Sequence, residues 1–167
     1  MEILTYIDRG GLIAYLLIGF NIVGFSIIVW KFFVLFIARL KQEEIVTRIL
    51  KFVHCNNNTY SHKAFSNALQ KELSKLEVGL NTIKIIATVS PLLGLLGTVL
   101  GVLDSFDSIS KLGMGDPSVF SAGISMALIT TVAGMVVAIP HFIAYNYFVS
   151  FLDKIENNLE AQVIGKL

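Results

Sequence analysis

Residues 118–152 read SVFSAGISMALITTVAGMVVAIPHFIAYNYFVSFL, and no Asp, Glu, Lys or Arg interrupts them before Asp153. About 20 predominantly apolar residues suffice to cross a bilayer as a helix, so this run exceeds one crossing. The tail that follows, Asp153 to Glu160, is charged, yet apolar residues persist at helical spacing at Leu152, Ile155 and Leu159. A single long helix is therefore predicted, crossing the membrane over residues 118–141, leaving it near His141 and continuing into water over 142–167.

Two more apolar runs precede it. Span one covers 11–38: it is uncharged from Gly11 to Trp30 and continues through Lys31, whose ammonium is expected to snorkel to the interface beside Trp30. Span two covers 85–103. The chain has 167 residues, 54% of them hydrophobic and 15% charged, and apart from Lys31 the charges avoid these three stretches, which points to lipid. Glu2 and Asp8 precede the first run, which is too long for a signal-peptide core and lacks an evident small-residue cleavage site. Residues 1–10 thus read as an outer segment before a retained span.

Orientation follows from Lys and Arg. The connection 39–84 holds eight, and the C-terminal tail adds Lys154 and Lys166, whereas the opposite side has only Arg9 and Lys111. Basic residues stay in the cytoplasm, which puts the N-terminus outside and the C-terminus inside. The expected fold is all-α: three transmembrane helices extended into the cytoplasm by long helices, with a short outer connection at 104–117. Within 39–84, Lys41 to Val53 suggests that the helix of span one projects beyond the bilayer. A turn is expected at Asn56, Asn57 and Asn58. A helix then follows with Phe65, Leu69, Leu73, Leu76 and Leu80 on one stripe, which needs a partner surface. An extension of span one or three supplies it most simply.

Spans two and three carry stripes of small and hydroxyl residues. Pro91, Gly94, Thr98 and Gly101 follow helical spacing in span two, with Gly97 adding a GxxxG pair, and Ala127, Thr131, Gly134, Ala138 and His141 do so in span three. In lipid such stripes let helix backbones approach closely, since packing replaces the missing hydrophobic drive. Each stripe has one mid-membrane threonine. Thr98 and Thr131 either bond their own helical carbonyls four residues back or line a lumen, where a hydroxyl both donates and accepts. Neither span carries an Asp, Glu, Lys or Arg along its apolar length, so a proton-driven device built on this chain needs a carboxylate from another subunit.

Pro91 and Pro140 each remove a backbone donor and can bend a helix or flare a vestibule. His141 is a candidate proton exit or a polar anchor at the interface. Asp104, Asp107 and Asp116 lie in the outer connection, as a solvated face or a means of concentrating cations. No basic block alternates with aromatics, against a nucleic-acid partner. The lone Cys55 excludes an internal disulfide. His54, Cys55 and His62 lack a zinc spacing, and no phosphate loop or nucleophile–base pair is present, so neither an enzyme, a cofactor nor a metal site is expected.

Two segments carry a resemblance: Ser90 to Val99 with Gly101, which read SPLLGLLGTV and then G, and Ala127, Leu128, Thr131, Gly134, Ala138-Ile139-Pro140 and Tyr145-Asn146. Together they resemble the MotA/TolQ/ExbB proton channel family, its ExbB branch most. The rest of the chain matches mainly in the order of its elements. The resemblance implies a homopentamer in the bacterial inner membrane whose second and third spans line a pore. The pore encloses an ExbD-like single-span subunit with a membrane aspartate, and Thr98 and Thr131 stand beside that acid. It implies that the proton motive force is relayed to a TonB-like transducer docked on span one, with Asn21 as a polar contact. Many members carry a glutamate where this chain has Met126, which bears on any proton path using the subunit's own acid. A TolQ-like role in envelope maintenance and a non-conducting scaffold are the alternatives.

Overall fold

The computed structural model describes residues 7–8, 10–55, 62–113 and 118–164, and among them every element is helical. In chain order these are α1 (Gly11–Leu40), α2 (Gln42–Cys55), α3 (His62–Glu77), α4 (Leu80–Leu112) and α5 (Ser118–Ile164). Three of them, α1, α4 and α5, are long and apolar enough to cross a membrane. The expected turn at Asn56–Asn58 and the loop residue Asp116 fall outside the described residues.

α4 runs well past the apolar stretch that predicted it. It continues to Leu112, so Asp104 and Asp107 are helical residues and not part of a loop. The helix stops where Gly113 takes φ +82° and donates its N–H to the Ile109 carbonyl at 2.8 Å. That conformation is open to glycine and closes the orphan carbonyls of a helix end. Pro91 and Pro140 lie inside α4 and α5, each of which is one continuous helix through its proline.

By packing, the chain divides into residues 1–26 with 82–143 and residues 27–81 with 144–167. In the first unit α4 and α5 run antiparallel at close quarters, while the start of α1 lies parallel to α5, Gly11 beside Met126 and Gly24 beside His141. Ile13 and Leu17 of α1 are buried with Ile86 of α4 and Val137 of α5, and Phe20, Leu93 and Ala133 pack around them. Elsewhere large apolar side chains face outward, among them Leu95, Val99, Leu128 and Val136. Such an exterior suits hydrocarbon in place of water.

In the second unit α2 follows α1 after a single turn residue, Lys41, whose N–H donates to the Ile37 carbonyl at 3.0 Å. α3 lays its stripe against this extension of span one. Phe65, Leu69 and Leu73 are buried, as are Ile45, Val46 and Ile49 of α2, and Arg48 approaches Glu72 at 3.9 Å. The C-terminal part of α5 buries Leu152, Ile155 and Leu159, the face seen in the sequence, together with Phe148 and Val163.

Lys31 departs from expectation. It does not snorkel into water but is fully buried, its Nζ donating to the carbonyls of Leu76 and Val78, the latter at 2.6 Å. These carbonyls belong to the end of α3, where the last turn has no intrahelical donors. A cation is favoured there by the helix dipole as well. Gly79, at φ +89°, turns the chain from α3 into α4 and sits against Ile27 and Trp30. The ammonium therefore finds its polar partners in folded backbone, and it stands beside Trp30, 5.8 Å from the ring centre, as expected.

Candidate functional site

The α4–α5 contact is built from backbone. A Cβ on Gly94 would lie 2.8 Å from the Thr130 carbonyl oxygen and 3.1 Å from the Thr131 Cα. On Gly101 it would lie 2.5 Å from the Gly123 carbonyl oxygen, and on Gly134 2.6 Å from that of Ser90. Real Cβ atoms essentially never come within 3.0 Å of another heavy atom, so each position requires glycine for close approach. Ala127 and Ala138 are buried along the same face of α5. Gly97 makes room for the Thr130 side chain.

The structure brings Thr98 and Thr131 together across this contact. Their hydroxyls are hydrogen-bonded to one another. Thr98 also donates toward the Ala127 carbonyl at 3.1 Å, and Thr131 toward the Gly94 carbonyl at 3.3 Å, both on the opposite helix. The bond from Thr98 to its own helix, at Gly94, is the longest at 3.4 Å. Both threonines thus differ from Thr130, which is fully buried and bonds only the Met126 and Ala127 carbonyls of its own helix. Thr98 and Thr131 remain half-buried.

At about 100° per residue, the residues of α4 and α5 that meet α1 (Ile86 and Leu93; Ala133 and Val137) lie on one flank of the helix pair. Thr98 and Thr131 lie on the other. The exposed neighbours on that flank, Leu95 and Val102 of α4 and Leu128 and Met135 of α5, are apolar. The hydroxyl pair is therefore the polar feature of an otherwise greasy surface. α4 over 85–103 and α5 over 118–152 contain no Asp, Glu, Lys or Arg.

His141 does not join the pair. Ten residues beyond Thr131, it is about 15 Å further along α5, and it is fully buried against α1. Nδ1 contacts the Val137 carbonyl at 2.7 Å, the ring meets Phe25 edge-on at 5.3 Å, and Nε2, without a hydrogen-bond partner, points at Gly24. Asn21 is half-buried and lines a groove of about 500 Å³ between α1 and α5 with Ala14, Leu17, Ile129, Ala133 and Val137. Pro91 and Pro140 are half-exposed. Met126 is half-buried near Gly11.

Several residues of the contact escaped the sequence reading. Ser90 is fully buried and bonds the Ile86 carbonyl at 2.6 Å, and Ser105 links α4 to α5 through the Phe120 carbonyl at 3.1 Å, opposite Gly123. Extending the stripe of span two by one step of four beyond Gly101 reaches Ser105. The side chains of His54, Cys55 and His62 lie outside the described residues, and among those described no three His, Cys, Asp or Glu cluster as metal ligands.

A family model described as the MotA/TolQ/ExbB proton channel family matches residues 36–161, three quarters of the chain and all of the α4–α5 contact. The chain belongs to this family. Among its relatives, a putative biopolymer transport protein ExbB-like 3 of Synechocystis is 32% identical over 83% of this chain and 81% of its own length. The biopolymer transport protein ExbB of Aquifex aeolicus is 42% identical over 48% of this chain and 53% of its own length. The Tol-Pal system protein TolQ of Pseudomonas aeruginosa is 37% identical over 52% of this chain and 37% of its own length. ExbB and TolQ relatives thus both align with this member of the proton channel family, which is a multi-pass membrane protein by its three long apolar helices.

Proposed function

We propose that this chain is the pore-forming subunit of a proton-motive-force-driven complex that powers TonB-dependent transport across the outer membrane. One observation carries the reading: the Thr98–Thr131 hydroxyl pair is half-exposed on the flank away from α1, amid apolar side chains. A hydroxyl can donate to an ionised carboxylate and accept from a protonated one, so the pair suits an acid that changes state beside it. This chain supplies no such acid along the apolar stretches 85–103 and 118–152 of the two helices. The carboxylate then comes from an ExbD-like single-span subunit enclosed by a homopentameric ring, each copy turning the threonine flank inward and α1 toward lipid.

In this reading the complex sits in the bacterial inner membrane with the N-terminus periplasmic and the C-terminus cytoplasmic. The groove beside Asn21 on the lipid side receives the helix of a TonB-like transducer. A TolQ-like role in envelope maintenance is the second reading, favoured by the Pseudomonas relative, and the two differ in the transducer and not in the pore.

The test is replacement of Thr98 or Thr131 by Val. We expect an unchanged oligomer mass and the loss of proton uptake into vesicles that contain the ring with a single-span acidic partner, followed with a pH-sensitive dye. Wild-type uptake with both valines in place would make the threonines packing groups, and the chain a scaffold.

A further inference from the structure

In the second unit two adjoining cavities lie between α1 and α5. One, of about 280 Å³, is polar: Arg39, Gln42, Ser150, Lys154 and Asn158 line it, with Tyr147 and Phe151. The other, of about 120 Å³, is aromatic and aliphatic, formed by Phe32, Leu35, Phe36 and Phe148. Arg39, Tyr147 and Phe151 border both, and the Arg39 guanidinium lies 6.0 Å over the Phe151 ring. The polar cavity contains two cations and no carboxylate. Neither cation is in an ion pair with a described residue.

The place in the chain matters as much as the chemistry. Exposed Phe33, Phe36, Ile37 and Leu40 carry the apolar surface of α1 up to Arg39, and exposed Tyr147 carries that of α5 nearly to Lys154. Trp and Tyr side chains concentrate at the level of lipid headgroups, and exposed Tyr147 borders both cavities, so the polar cavity opens at the water edge of such a belt while the apolar one descends into it. A cation pair above a greasy slot matches a ligand with an anionic head and a hydrocarbon tail. Basic pockets between membrane helices hold anionic headgroups in the same manner.

We propose that Arg39 and Lys154 bind the headgroup of an anionic phospholipid whose acyl chain lies against Phe32, Phe36 and Phe148. Tyr147, Ser150 and Asn158 supply hydroxyl and amide groups to the phosphodiester and its glycerol. The site is separate from the Thr98–Thr131 pair, and lipid binding there does not depend on proton conduction.

Native mass spectrometry of the full-length oligomer from detergent, titrated with dioleoylphosphatidylglycerol or dioleoylphosphatidylcholine, tests this. At about fivefold per cation, the double variant R39Q/K154Q is expected to weaken phosphatidylglycerol binding roughly thirtyfold, leave phosphatidylcholine binding unchanged and keep the oligomer mass. The charge-retaining pair R39K/K154R is expected to restore binding. Glycerol 1-phosphate, which has the head and no tail, is expected to bind at least a hundredfold more weakly than the lipid. Equal phosphatidylglycerol binding by the double variant would overturn the proposal. So would tight binding of free glycerol 1-phosphate, or dissociation of the lipid-free oligomer in R39Q/K154Q, which would mean that a second copy of the chain fills the cavity.

Discussion

Gly134→Ala puts a single methyl group between two backbones that cannot yield separately. Its Cβ would stand 2.6 Å from the Ser90 carbonyl oxygen and 3.1 Å from the Gly94 Cα. Reaching ordinary contact at 3.4 Å requires α4 and α5 to part by about 0.8 Å there. The cross-helix bonds of Thr98 to Ala127, at 3.1 Å, and of Thr131 to Gly94, at 3.3 Å, then lengthen beyond hydrogen-bonding range. Overpacking costs about 1–3 kcal/mol, and each lost interhelical bond about 0.6 kcal/mol in a membrane protein. The expected loss is therefore about 2–4 kcal/mol, measured as reversible unfolding in mixed micelles. Because the methyl group already separates the hydroxyls, adding T98V to G134A should cost less than T98V costs alone. Strict additivity in that double-mutant cycle would refute the claim that the glycines hold the threonine pair together, and so would an unchanged stability of G134A.

Lys31→Met leaves the carbonyls at the end of α3 without their donor and is expected to destabilise the chain by about 1–3 kcal/mol, with faster proteolysis around Val78 as the local readout. Gly24→Ala drives a Cβ into the His141 ring, so it should destabilise by about 1–3 kcal/mol. Gly24→Ala with His141→Ala should recover most of that in the same thermal unfolding assay, and no recovery would mean that the two side chains do not oppose one another. Arg48→Ala breaks a long, half-exposed pair with Glu72 and should change stability by no more than about 0.5 kcal/mol.

The three spans were legible because a bilayer demands long uncharged runs, and α1, α4 and α5 contain them. The close approach of α4 and α5 was legible from the stripes, since small residues at steps of three and four mark the face where backbones touch, but the hydrogen bond between Thr98 and Thr131 was not. The end of α4 was not. Asp104 and Asp107 mark where apolarity stops, but a helix stops where its carbonyls are capped, and that occurs at Gly113. Thr130 and Thr131 are neighbours of one type, and the tight space beside Gly97 decides which is buried. His141 shares the stripe of Thr131, but nothing in the stripe shows that glycine at position 24 of another helix leaves a recess for its ring. Lys31 followed the ordinary behaviour of a lysine near aromatics until α3 offered it carbonyls some 45 residues away. Such partners are set by tertiary packing and leave no local pattern to read.

The clamp on Lys31 also imposes a schedule on biogenesis. Its acceptors, Leu76 and Val78, are made 45 and 47 residues after it, a delay of roughly 2–9 s at ~5–20 residues per second. During that interval the Lys31 ammonium lacks the two carbonyls that receive it in the folded chain, and a cation without polar partners is costly in hydrocarbon. Burial of Lys31 therefore waits until the end of α3 has been made and folded.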